Sequence, residues 1–392
     1  MTRPAVEVAD ILRAQGDRFL DRYRSSFDFQ QHKAFRAIQC CRTAALGGHV
    51  DVCPPCGYQE ISYNSCRNRS CPKCQTQARE RWLAAREREL LPIPYFHVVF
   101  TVPHELNVLA LDNPRLFYDL LFAASAQTLL EVAADPKHLG AEIGVISILH
   151  SWGQNLLLHP HIHCAIPAGG LSPGHDRWVR TSDCFFLPVK VLSRVFREKF
   201  LAGLKRLYRA KKLHCAGPAA ALADPRQFAQ LLRRQHRQDW AVYCKPAFGG
   251  PMQVLRYLGR YTHRVAISNH RLLAFDGERV TFRWKDYAHG GKQGQMTLLA
   301  AEFLRRFFLH VLPKAFVRVR HFGFLANRFR AARLSLCRQL LTDLSGTPAA
   351  SDTPSVACED SFWHCPKCGT TMIVLQRLTA VAVSPCTSFD SS

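Results

Sequence analysis

The spacing of hydrophobic positions changes along the chain, and each change marks an element. Residues 1–35 are charged and predict helix, and "TQARERWLAAREREL" (76–90) predicts a helix with a mostly polar face. "YFHVVFTV" (95–102) is β-branched and aromatic, the composition of a buried strand, and Pro103 ends it. Helical spacing returns over 105–134 through Leu106, Leu109, Leu116, Leu120 and Leu121, with Pro114 at a break or a fresh start. "EIGVISILHSWGQN" (142–155) and "LLHPHIHCAIPAGG" then predict two strands of a hairpin. Residues 187–235 are helical and basic, "DWAVYCKP" (239–246) is a fourth strand, and "MQVLRYLGRYTHR" (252–264) is a helix.

That order, β-α-β-β-α-β and a helix, is the split βαβ, ferredoxin-like plan of an α+β fold. A hairpin turning at Asp276-Gly277 follows, and residues 295–345 read as basic and largely helical. "SGTPAASDTPS" (345–355) is a linker by composition. The expected division is 1–92, helical and cysteine-rich; 93–290, the βαβ core; 291–345, a basic helical region; and 346–392, a linker with a small tail. No repeat of fixed period is present.

Charge sharpens the picture. A formal net charge of +22 repels itself unless an anion offsets it, and nucleic acid is the commonest large anion. A basic ribosomal or membrane-surface protein is the blander alternative. The first twenty residues lack an apolar signal core, and no apolar run is expected to reach the roughly 20 residues of a membrane span. A cytoplasmic location is therefore expected, with no membrane partner. Sixteen cysteines in a reducing compartment favour metal sites over disulfides.

The cysteines carry metal spacing. Cys53-Pro-Pro-Cys56 and Cys71-Pro-Lys-Cys74 approach a zinc ribbon, and free buried cysteines would not come in doubled pairs. Cys40, Cys41, His49 and Cys66 lie nearby, so a second zinc held partly by Cys41, His49 and Cys66 is plausible. Arg67, Arg69 and Lys73 surround the block without an acid, a surface suited to phosphates. Cys365 and Cys368 repeat half of the pattern, and Cys358, His364 and Cys386 are within reach to complete it.

Two further clusters carry chemistry. Alternation along a strand puts His161 and His163 on one side, where two imidazoles can grip a Mg²⁺ or Mn²⁺ ion. Hydrogen-bonded core histidines are the alternative. His159, Gln154, His97 and Glu105 are candidates for a third ligand, and Cys164 points away. Tyr257 and Tyr261, one turn apart, share a helix face beside Arg256, Arg260 and Arg264. Such tyrosines usually pack a core, but Val254, Leu255 and Leu258 supply that here, and the arginines argue for an anion. A phenol among cations can attack a DNA phosphate. Between Phe303 and Thr342 nine Lys or Arg, Arg320 and Arg328 among them, alternate with Phe307, Phe308, Phe316, Phe322, Phe324 and Phe329 and no acid. That composition suits single-stranded DNA, although any one Phe is better explained by a core.

The stretches "CRTAALGGHVDVCPPCGYQEISYNSCRNRSCPKCQ", "YFHVVFTVPHELN", "HPHIHCAIPAGGL", "YLGRYTHRVAIS", "VTFRWKDY" and "RHFGFLANR" together resemble the rolling-circle transposases of the HUH superfamily with two active-site tyrosines, insertion-sequence family ninety-one. The resemblance implies an HUH nuclease core, a structural zinc domain in the cysteine block, a divalent metal at His161 and His163, and nucleophiles at Tyr257 and Tyr261. It further implies cleavage of one strand at an element's end through a 5′-phosphotyrosine. One departure is Ser70, where the family usually has a histidine before the second CxxC; a second zinc site then lacks a ligand. A plasmid replication initiator or relaxase would share the core, and a zinc-containing DNA-binding regulator would share the charge and cysteines without catalysis.

Overall fold

The computed structural model describes residues 4–182, 186–246, 259, 266–286, 290–345 and 363–380. It begins with α1 (Val8–Tyr23) and α2 (Phe29–Gln39). Asp28 caps α2 by accepting from the Gln31 N–H while the Gln31 side chain accepts from the Asp28 N–H, each at 2.8 Å. The cysteine block forms a hairpin, β1 (Gly48–Val52) and β2 (Gln59–Tyr63), followed by α3 (Gln75–Glu87).

The strand β3 (Tyr95–Thr101) leads into α4 (Asn107–Asp112) and α5 (Pro114–Ala134), the new start that Pro114 signals. The hairpin β4 (Gly144–Trp152) and β5 (Leu158–Pro167) comes next, then the short pair β6 (Gly169–Leu171) and β7 (Trp178–Arg180). The basic helical stretch divides into α6 (Val189–Arg209) and α7 (Pro225–Arg237), with Asp224 capping the latter. The edge strand β8 (Val242–Pro246) completes this run.

Of these strands, β6 and β7 pair with each other, while β4, β5, β3 and β8 lie in that order in one antiparallel sheet. One face carries Phe96, Val98, Phe100, Ile162, Cys164 and Ile166, each at most 1% exposed, into a core closed by α5 and α6. A smaller core with Ile146, Ile148, Ala165, Phe324 and Leu334 covers much of the other face. Both faces being covered, β4 and β5 are buried at nearly every position rather than at alternate ones. By length and composition α5 is, among the described helices, the one apolar enough to cross a membrane, and more than half of its apolar stretch is buried inside this core.

A second sheet comprises β9 (Leu272–Phe275), β10 (Arg279–Asp286) and β11 (Lys292–Leu299), and α8 (Ala300–Phe308) follows it. It packs with α1 and α2 around Phe19, Phe35, Phe282, Phe303 and Phe308. β10 pairs with β11 from Arg279 opposite Leu299 to Asp286 opposite Lys292. The region expected to be largely helical contains β11 as well as β12 (Val319–Gly323), which joins the central sheet beside β4; α9 (Arg330–Ser345) comes after it. The tail forms β13 (Ile373–Leu378), which pairs with β1, so residues 363–380 lie on the N-terminal cysteine block rather than apart from it.

Candidate active site and cysteine clusters

On β5 the pleat sends Ile162 and Cys164 into the core and His161 and His163 to the opposite side. Directly across the hairpin, His150 of β4 pairs with His161. One ring nitrogen from each of His150, His161 and His163 lies within 4.8 Å of the other two, a group that could hold a metal ion. The third histidine is thus His150, which the sequence had not singled out. Of the expected candidates, His97 supports the group: its Nε2 is 2.8 Å from His163 Nδ1 and the two rings stack with centroids 5.0 Å apart. His159 contributes its carbonyl oxygen, which accepts from His161 Nδ1 at 2.6 Å and leaves the lone pair of that ring on Nε2. The Gln154 carbonyl accepts from Arg271, and Glu105 lies 3.5 Å from an exposed His104.

Burial keeps the His97, His161 and His163 rings neutral. It lowers the His161 pKa to about 3 and that of His97 to about 4; His163 falls well below its ordinary value through burial and then the nearby imidazoles. Neutral imidazole is the form that offers a lone pair to a metal. Tyr243 and Lys245, opposite Val99 and His97 on β8, stand on the same side of the sheet, with the Tyr243 ring centroid 6.3 Å from that of His97.

Tyr257, Tyr261, Arg256, Arg260 and Arg264 lie outside the described residues. Gly259, between the two tyrosines, is described: it is helical and buried, and a Cβ there would stand 2.6 Å from the Leu83 side chain of α3.

The cysteines divide differently from the expected ribbon. Cys41, Cys66, Cys71 and Cys74 form one cluster, with Cys74 Sγ 3.5 Å from Cys41 and 3.6 Å from Cys66. Cys53 and Cys56 lie instead with Cys365 and Cys368. The CxxC spacing sets each knuckle but not its partner knuckle. His49 joins neither cluster; its Nε2 is 3.3 Å from Asp51. Ser70 deprives neither cluster of a fourth ligand, because Cys66 supplies it and Ser70 is buried, its N–H donating to Asn68. The neighbouring thiols of Cys66 and then Cys71 draw the Cys41 thiol below its ordinary pKa.

The expected DNA-contacting cations also separate. Arg69 donates to the carbonyls of Phe316, Leu312 and Pro313 at 2.8, 2.8 and 2.6 Å, which ties the cysteine block to the loop before β12. Arg320 pairs with Asp119 and lies over Phe122, 4.2 Å from its centroid. Lys73 of the second knuckle pairs with Glu7, an acid missed because it is distant in sequence. Arg67 and Arg328 are exposed, the latter over an exposed Phe329 ring at 4.3 Å. Phe307, Phe308, Phe316 and Phe324 are core residues and Phe322 is partly buried, so they offer no stacking surface.

Known proteins resemble the chain along its whole length. A family model described as "Transposase zinc-binding domain" matches residues 11–102, and one described as "Putative transposase" matches 144–333. A "Putative transposase y4qJ" from Sinorhizobium fredii is 46% identical over 100% of both chains. The "Transposase for insertion sequence element IS801" from Pseudomonas savastanoi pv. phaseolicola is 28% identical over 88% of this chain and 83% of its own. No solved structure matches.

Proposed function

We propose that this chain, which belongs to the transposases of insertion-sequence family ninety-one, nicks and transfers single-stranded DNA through a 5′-phosphotyrosine intermediate. The observation that carries the reading is the cluster of His150, His161 and His163 on a central sheet inside the region matched by the transposase model. The strand order β8-β3-β5-β4, with all neighbours antiparallel, supports a ferredoxin-like HUH core beneath it.

Three imidazoles fit a divalent ion and leave positions open for phosphate oxygens. An all-nitrogen donor set suits Mn²⁺ better than the harder Mg²⁺. When bound, the ion supplies positive charge to the scissile phosphate. His161 and His163 hold their ligand atoms on a rigid strand, His150 closes the group from the paired strand, and His97 fixes the His163 ring. Tyr257 or Tyr261 is the nucleophile. Its Oη gives up its proton and bonds to phosphorus, the P–O3′ bond breaks, and the 3′ oxygen leaves with a proton. The phosphotyrosine ester keeps the bond energy, so a 3′ hydroxyl elsewhere can displace the tyrosine without ATP. Two tyrosines permit two such events in succession.

Incubation with single-stranded oligonucleotides and Mn²⁺ should yield a protein–DNA adduct that survives denaturation. Replacing both tyrosines, Tyr257→Phe with Tyr261→Phe, should abolish it while binding persists. An adduct that survives in the double variant rules out these nucleophiles, and none in the wild-type chain favours a zinc-containing DNA-binding protein without catalysis.

A further inference from the structure

We infer that Cys53, Cys56, Cys365 and Cys368 form a second tetrathiolate zinc site that clamps the C-terminal tail onto the N-terminal hairpin. The zinc-domain match ends at residue 102 and excludes half of these ligands. Cys53 Sγ lies 3.3 Å from Cys368 Sγ, and Cys56 Sγ lies 3.5 Å from Cys365 Sγ and 3.6 Å from Cys368 Sγ. With a Zn–S bond of about 2.3 Å, tetrahedral geometry separates the sulfurs by about 3.8 Å. A disulfide needs about 2.05 Å and uses two sulfurs, not four.

The two halves are the same structural object. Cys53-Pro-Pro-Cys56-Gly57 and Cys365-Pro-Lys-Cys368-Gly369 share a sequence pattern and a hydrogen-bond pattern. In each, the glycine N–H donates to the first cysteine's carbonyl at 2.9 Å, and the first cysteine's N–H donates to the residue five positions on, Tyr58 or Thr370, at 2.8 Å. Gly57 and Gly369 both turn the chain with positive φ, +69° and +74°, where a side chain would be strained. Two such knuckles facing each other are how a zinc ribbon is built. Here they are 309 residues apart.

Among the described residues, strand pairing holds the tail with little apolar burial beneath it. Its buried contacts with the hairpin are Cys53, Cys365 and Met372, with Tyr58 partly buried beside them. On β13, Ile373, Val374 and Leu375 are each more than half exposed. Pairing from Gly48↔Leu378 to Val52↔Ile373 sets the register, and the Lys367 ammonium lies 5.2 Å from the Tyr58 ring centroid. A core this small does not fold unaided; a structural metal commonly supplies what is missing. The first cluster already has its own four thiols, so Cys53 and Cys56 are not needed there.

The purified full chain, kept reduced, should contain two zinc ions by elemental mass spectrometry. Cys365→Ser with Cys368→Ser should contain one. A protease site placed within residues 346–355 adds a physical readout. After cleavage, the C-terminal fragment should co-elute with the body from a sizing column when zinc is bound and separate from it in the double variant. Should the double variant aggregate, cleaved wild-type chain before and after chelation by EDTA gives the same comparison. One zinc in the wild-type chain, unchanged zinc in the double variant, or a fragment that stays bound without metal overturns the clamp.

Discussion

An imidazole serves as a ligand only through a lone pair, and burial in this sheet keeps that pair free by holding the rings neutral. His150 is the sharpest test, since it is buried and stands directly across from His161. His150→Phe keeps most of the volume and removes the nitrogen. Loss of one ligand should slow Mn²⁺-dependent adduct formation by about a hundredfold or more, equivalent to the several kcal/mol a metal contributes. The melting temperature and zinc content should remain those of the wild-type chain. Rates within twofold of wild type would remove His150 from the centre. His161 and His163 were legible because period two alone puts them together. His150 was not, because a register shift separates it from Trp152. Counting back from the Trp152–Leu158 pair sets it opposite Pro160, on the wrong face.

Whole elements were legible where one period dominated. The strands 95–101 and 144–152 and the helix starting at Pro114 appeared as expected. The stretch after 295 misled, because arginine and phenylalanine counts say nothing about which side of an element each occupies. In α8 the arginines pair with Glu302 while Phe303, Phe307 and Phe308 turn inward. Phe308 touches Phe19, Phe27 and Phe35, so it binds α8 to α1 and α2. Phe308→Ala should therefore destabilise the protein by about 3–5 kcal/mol, read as a lower denaturant midpoint. Phe329→Ala should leave that midpoint in place and weaken single-strand binding by about 1–3 kcal/mol if a base stacks there. If both substitutions act on stability alone, Phe329 is no part of a DNA surface.

At the scale of the molecule, a net charge of +22 overstates what is free to meet DNA. Arg69 and Arg320 spend their donors on carbonyls and a carboxylate of the fold, which links the cysteine block, the loop before β12 and α5. Arg328 is exposed and stacked, ready for a phosphate or a base. The salt dependence of binding distinguishes the two kinds. For single strands the slope of log K against log salt is about −0.7 per phosphate neutralised. Measured on the Tyr257→Phe, Tyr261→Phe background, so that no adduct forms, Arg328→Ala should make the slope shallower by about 0.7 without changing the melting temperature. Arg320→Ala should do the reverse: the slope stays and the melting temperature drops, because Asp119 loses its partner and the Phe122 face its cation. Equal slopes in both variants and the parent would mean that the DNA path runs elsewhere, leaving the exposed arginines of the cysteine block, Arg67 first, as the surface to test.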